Sequence, residues 1–226
     1  MPYLELKTNN PDVSIGIWRI EESEPYFMTR LNLYENEQTR LSRINNGQKR
    51  LEWLSSRLCL KNLLKIRHKV ESLNNPEGRP YLSDNSHHIS YSHSHGYAAA
   101  VASHKHEVAI DIELFSKKYN PELSHKFMDK RELEYFQKHK DPHFFYLIWS
   151  AKETLFKIQG KKGVSLRQHI HIQIEDFSLR QNGKITGYIE TENTKRYYEI
   201  SYEIFSDFVL TYTHNSLSEG KRAVAR

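Results

Sequence analysis

Residues 143–159 read HFFYLIWSAKETLFKIQ. Phe144, Ile148, Ala151, Leu155 and Ile158 recur at helical spacing, so the stretch predicts a long amphipathic helix. Residues 50–66, RLEWLSSRLCLKNLLKI, predict a second one, with Leu51, Leu54 and Leu58 stepping at three and four. At an offset of 96, Trp53 meets Trp149, Leu60 meets Phe156 and Lys61 meets Lys157. The tripeptide Ile-Ser-Tyr follows each helix, at 89–91 and at 200–202; at their offset of 111, Tyr97 meets Phe208 and Ala98 meets Val209. A helix followed by strands of one kind, twice over, predicts an α+β chain of two similar halves. Each half would be a helix packed on a small antiparallel sheet, over 1–106 and 107–226, with a ligand site at their junction. Chance likeness between two amphipathic helices and two strands would leave the same pattern.

The rest of the chain is read outward from these helices. Residues 13–20, VSIGIWRI, predict a strand, and 31–46 are polar and basic, with Arg40 and Arg43. Asn45-Asn46-Gly47 marks a turn, Asn74-Asn75-Pro76 a break, and 89–102 a strand–turn–strand. EVAIDIE at 107–113 alternates as a strand does. Asp129 with Glu132 has the spacing of a capping box for a helix ending near His139. Residues 168–213 read as strands with turns at Asn182-Gly183 and Asn193, and 215–226 as a polar tail.

A chain of 226 residues, 38% apolar and 12% aromatic, can bury its own core. The net charge of +5 suits an anionic ligand or an acidic partner better than a nucleic-acid coat. One cysteine, Cys59, excludes a disulfide framework and suits a reducing cytoplasm. The first residues, MPYLELKTNN, show no signal-peptide pattern, and no apolar run approaches a membrane span. Of 13 histidines, six (His87, His88, His93, His95, His104 and His106) fall within twenty residues.

Four constellations carry chemistry. Asp111 and Glu113 are two apart on a strand, so both carboxylates face one side, a hard-oxygen pair suited to Mg²⁺ or to open solvent. Trp149, Glu153 and Lys157 share one helix face, with Lys152 beside them; Glu153 and Lys157 also suit an ordinary i,i+4 surface pair. Ser90-Tyr91-Ser92-His93-Ser94-His95-Gly96 offers hydroxyls and imidazoles to an anion at a turn. Its His-x-His pairing, repeated at His104 and His106, equally suits Zn²⁺ or Cu²⁺, or plain surface histidines. Gly78-Arg79-Pro80-Tyr81 presents a guanidinium fork from a fixed turn, for a phosphate or for solvent.

Taken in order, G-R-P-Y, I-S-Y-S-H-S, V-A-I-D-I-E and W-S-A-K-E-T-L-F-K resemble the signature blocks of the Sfp-type 4′-phosphopantetheinyl transferases, over about residues 50–160. Ala109 stands where that family usually has glycine, and the first 45 residues align with none of its blocks. The resemblance implies the pseudo-dimeric fold, in one chain acting as a monomer. It implies transfer of phosphopantetheine from coenzyme A to a serine of an acidic apo acyl or peptidyl carrier protein, yielding 3′,5′-ADP. It further implies Mg²⁺, with Mn²⁺ as substitute, on Asp111, Glu113 and Glu153. Glu153 would also be the general base and Lys157 the pyrophosphate cation, with Lys152 nearby. Ser92 and His93 would meet phosphates of coenzyme A, Arg79 and Pro80 would flank its nucleotide, and Arg50 and Arg57 would reach its 3′-phosphate. No membrane or nucleic acid enters this scheme. An inactive carrier- or coenzyme-binding relative and a histidine-rich metal binder are the two other classes the sequence admits.

Overall fold

The computed structural model describes residues 2–66, 69–116, 119–160, 163–175, 177–192, 194–214 and 218–220. The chain is a mixed α+β protein that divides into two compact units, Met1–Ile112 and Glu113–Arg226. The division falls inside a strand, six residues beyond the boundary expected at 106.

The first unit holds β1 (Tyr3–Leu6), β2 (Val13–Arg19), α1 (Glu24–Leu31), α2 (Glu35–Ser42), α3 (Gly47–Leu64), β3 (Ser72–Asn74), β4 (Pro80–Leu82), β5 (His88–Ser94) and β6 (Tyr97–Ser103). Its antiparallel sheet runs β1-β2-β6-β5, and β3 pairs with β4 as a separate hairpin. α3 starts where the Asn46 side chain accepts the Lys49 amide, and stops at Lys65, which is left-handed at φ 51°. It lies on β6, whose alternation presents Ala98, Ala100 and Ala102 to one core with Leu54, Leu58 and Cys59. Small residues at those three positions let helix and sheet approach. The same closeness acts at Gly16 of β2, where a Cβ would stand 2.8 Å from Cys59 Sγ.

β7 (Val108–Leu114) carries the division between the units. Beyond it come α4 (Ser124–Phe127), α5 (Lys130–His139), α6 (Pro142–Gln159), β8 (Ile170–Ile172), β9 (Asn182–Glu190), β10 (Lys195–Ile204), β11 (Phe208–His214) and β12 (Ser218–Gly220). The second sheet runs β7-β11-β10-β9-β8, with β12 also on β10. α6 begins with Asp141 capping the His143 amide and Pro142 in its first turn, and ends at Gly160, φ 61°. Phe144, Ile148, Ala151, Leu155 and Ile158 are all buried, as their spacing predicts. The capping box of α5 forms in both directions.

The two helices of the repeat, α3 and α6, are both 18 residues long. Each precedes a hairpin whose first strand carries Ile-Ser-Tyr and whose second opens on Tyr97 or Phe208. The order β2-β6-β5 in one sheet repeats as β7-β11-β10 in the other. Two readings change. Neither α1 nor α2 was expected, the second lying in the stretch read only as polar and basic. Asn182-Gly183 is no turn: it opens β9 opposite Glu203 and Tyr202, and Gly183 is needed because a Cβ would meet the Tyr202 hydroxyl at 2.9 Å. Asn193 and most of the 215–226 tail lie outside the described residues. Among the described residues no helix is long and apolar enough to cross a membrane.

Candidate functional site

β7 places its carboxylates as its alternation requires. Val108, Ala109, Ile110 and Ile112 are buried, and so is Asp111, at 3% exposure. A solvated acidic pair is therefore the wrong account of Asp111. Ser92 of β5 donates its hydroxyl to Asp111 Oδ1 at 2.8 Å, which orients the carboxylate. Two residues on, Glu113 is half-buried, and its Oε1 accepts the Trp149 indole N–H at 2.8 Å. Trp149 is itself packed edge-on against Phe127, ring centroids 5.0 Å apart. Glu153 and Lys157 follow Trp149 at one and two turns of α6, both half-buried. Within the second unit, Trp149 thus ties the Glu113 carboxylate to the face of α6 that carries Glu153 and Lys157.

In the first unit His93 Nδ1 stands 3.1 Å from Glu52 Oε2. Glu52 is 7% exposed and comes from α3, whereas the His93 ring is about half exposed. Sequence reading missed Glu52, because a lone glutamate inside an amphipathic helix carries no signal of its own. Arg79 and Pro80 line a cavity of about 260 Å³ together with Asn75, His87, His88 and Glu107. Asn75 Oδ1 accepts the Arg79 amide at 2.8 Å, and Glu107 pairs with its guanidinium at 3.3 Å. Gly78, at φ 94°, makes this turn with the conformational freedom that only glycine has at no cost.

Three of the expected cations have protein partners of their own. Lys152 has no exposed surface: its ammonium meets Glu132 Oε2 at 2.6 Å and the carbonyls of Phe127, Ile170 and Leu166 at 2.8, 2.7 and 3.0 Å. Those four acceptors saturate its three N–H donors, so no phosphate can draw on it. Burial pulls the Lys152 pKa down and pushes that of Glu132 up, each partner opposing the other's shift. Arg50 grips Glu24 with Nε and Nη2, and its Nη1 donates to the carbonyls of Leu41 and Ile44 at 2.7 and 3.1 Å. It fastens α1 and the end of α2 to α3. Arg57 is buried among the rings of Trp53 and Tyr91, and lines a cavity that shares no residue with the one lined by Arg79.

The histidine cluster divides among several partners. His104, Lys105 and His106 gather on the Asp12 carboxylate at 3.5, 3.0 and 3.9 Å. Among the described residues no group of three or more His, Cys, Asp or Glu side chains forms a metal cage. The donor chemistry of Asp111, Glu113 and Glu153 nevertheless fits a hard divalent cation. All three are carboxylates, and Mg²⁺ is ordinarily held by one or two such groups plus waters and substrate phosphates rather than by a closed protein cage.

Residues 107–213, just under half of the chain, match the family model of the 4′-phosphopantetheinyl transferase superfamily. The match takes in Asp111, Glu113, Glu153 and Lys157, the strands β7 to β10 and all of β11 but its last residue. A protein of Synechocystis sp. named "Putative 4′-phosphopantetheinyl transferase" is 28% identical over 145 residues, 59% of this chain and 58% of that protein. The chain thus matches little more than half the length of that relative.

Proposed function

We propose that this chain is a transferase that moves the 4′-phosphopantetheine arm of coenzyme A onto a serine hydroxyl of an acyl or peptidyl carrier protein. The observation that carries the reading is the Glu113–Trp149 bond, which ties a β7 carboxylate to the Glu153 face of α6 inside the segment matching the superfamily. In the transfer, the serine oxygen forms a bond to the β-phosphorus of coenzyme A. The bond from that phosphorus to the bridging oxygen breaks, and the electron pair leaves with 3′,5′-ADP. Glu153 takes the serine proton, directly or through a water. Lys157 bears on the charge that grows on the phosphoryl oxygens. Asp111, Glu113 and Glu153 would hold Mg²⁺ or Mn²⁺, which when bound offsets the pyrophosphate charge. His93 faces phosphates, Ser92 holds the Asp111 carboxylate with its one hydroxyl donor in place of the expected phosphate contact, and Arg79 and Pro80 flank the nucleotide at their cavity.

The finer assignments belong to the same reading: the Sfp-type class, a monomeric chain, an acidic carrier drawn by the net charge of +5, and a cytoplasmic setting. Incubation of an apo carrier with coenzyme A and Mg²⁺ should add one phosphopantetheine to the carrier by intact mass. EDTA should stop the addition and fresh Mg²⁺ restore it. Asp111→Ala should abolish the addition while the circular dichroism spectrum stays that of the native protein. Apo carriers of fatty-acid, polyketide and peptide-synthetase type all remaining unmodified would overturn the function. Full turnover after exhaustive chelation would overturn the metal assignment alone.

Glu52 enters this scheme as a positioning residue, since it acts through His93. A hydrogen bond to a charged group contributes about 1.5–3 kcal/mol, so Glu52→Gln should raise KM for coenzyme A by about tenfold and change kcat little. His93→Ala should do the same, and the double variant should be no worse than either single one, because both act through one contact. A fall in kcat with KM unchanged, or additive effects, would remove Glu52 from this role.

A further inference from the structure

The cavity lined by Arg57 lies in the first unit, between the α1–α2 connection, the C-terminal half of α3 and the strands β3 to β5. It measures about 250 Å³. Its wall is mostly apolar, from residues such as Leu60 and Val70, with Tyr34 and Tyr91 as aromatic surfaces and Lys61 and Lys69 at its border. Arg57 is only 8% exposed. One hydrogen bond holds its guanidinium among the described residues, Nη1 to the Trp53 carbonyl at 3.1 Å; Nε is buried with no acceptor. The guanidinium stacks on Trp53 at 3.6 Å and stands 5.2 Å from the Tyr91 ring centre.

A buried cation is ordinarily paired or fully hydrogen-bonded, because desolvation otherwise costs several kcal/mol. Here no carboxylate pairs with Arg57 among the described residues. Glu37, which also lines the cavity, is taken up by the Tyr34 amide at the start of α2. Burial draws the Arg57 pKa down to about 10 although Tyr91 and Glu37 pull it up, so the site favours a further negative charge in contact with the guanidinium.

We infer that this cavity binds a small monoanionic carboxylate with an apolar body, its carboxylate on the part of the Arg57 guanidinium that lines the cavity and its body between Tyr34, Tyr91 and Leu60. A guanidinium gives a carboxylate charge-assisted hydrogen bonds, about twice as strong as those between neutral groups. A phosphate dianion fits worse, because among the described residues Arg57 is the one cation buried in the apolar wall, while Lys61 and Lys69 are exposed to water at the border. The site stands apart from the Arg79 cavity and does not depend on the transfer reaction.

Benzoate and hexanoate are suitable probes, titrated into the full chain with tryptophan fluorescence and thermal midpoint as readouts, since Trp53 lies on the guanidinium. Both readouts should saturate with at least one of the two carboxylates, while benzyl alcohol and inorganic phosphate leave them unchanged. Arg57→Lys keeps the charge and loses the fork, and should weaken binding at least tenfold. Val70→Trp, which fills the cavity from another of its lining positions and leaves Arg57 intact, should abolish it even if the arginine variant fails to fold. Absence of saturation with both carboxylates would overturn the inference. So would benzyl alcohol or phosphate binding as well as the carboxylates, or a folded Val70→Trp protein that binds as the wild type does.

Discussion

Replacing Glu153 with glutamine is expected to lower kcat by about 10²–10³-fold or more, with a change in thermal midpoint too small to account for it. The size follows from what is removed: a group that takes up charge or a proton only as the transition state forms is typically worth that factor. Glutamine keeps the shape and a hydrogen-bonding oxygen, so packing of the half-buried position on α6 survives. The competing account makes Glu153 and Lys157 a helix-stabilising pair worth about 0.3–0.5 kcal/mol, which predicts near-normal turnover. Two features set the accounts apart before any kinetics. Neither residue is fully exposed, and the turn before them is pinned through Trp149 to Glu113 at 2.8 Å. Lys157→Ala should also lower kcat more than it lowers the midpoint. The double variant should fall well short of the product of the two single losses, as groups serving one transition state do. Turnover near the wild-type level in Glu153→Gln would end the proposed mechanism.

The parts of the fold that were legible in the sequence are those where local signal and tertiary packing agree. The apolar spacing of α6, the alternation of β7 and the Asp129–Glu132 box each state a structure that the core then adopts. The repeat was legible because like-placed residues, such as Tyr97 and Phe208, open equivalent strands. Gly183 misled for a physical reason: Asn-Gly is a turn signal by backbone freedom, but here the glycine answers a side-chain demand from Tyr202 across the ladder. The site divides in the same way. The chemistry of Asp111, Glu113 and Glu153 is visible in residue type and spacing. Burial and tertiary pairing are not, and they decide that Asp111 leaves solvent for Ser92, that Arg50 meets Glu24, and that His93 has Glu52 behind it. Sequence spacing put Lys152 beside Glu153, yet adjacent residues on a helix point about 100° apart, so one faces the core when its neighbour faces the site.

That separation gives Lys152 a testable consequence of its own. Lys152→Met should destabilise the protein by about 3–5 kcal/mol, because it leaves the Glu132 carboxylate buried without its cation. For a chain of this size such a loss is a fall in thermal midpoint of about 6–20 °C. The lysine also satisfies the carbonyls of Phe127, Leu166 and Ile170, three segments that reach α6 from different parts of the second unit. Glu132 in turn accepts the Ile172 amide at 2.8 Å and that of Asp129 at 2.8 Å, and Asp129 holds His171 at 2.7 Å. A pair embedded in this way cannot be exchanged for apolar residues at no cost. The double variant Lys152→Met with Glu132→Leu should recover part of the loss, by removing the stranded charge, while the three carbonyls and two amides remain short of partners. The two single losses should therefore sum to more than the double loss, by about 0.5–3 kcal/mol. Below its transition the Lys152→Met protein should keep KM for coenzyme A close to the wild-type value, since its ammonium has no donor left to offer a phosphate. Wild-type melting together with a raised KM would place Lys152 back among the phosphate-binding groups and contradict the buried pair.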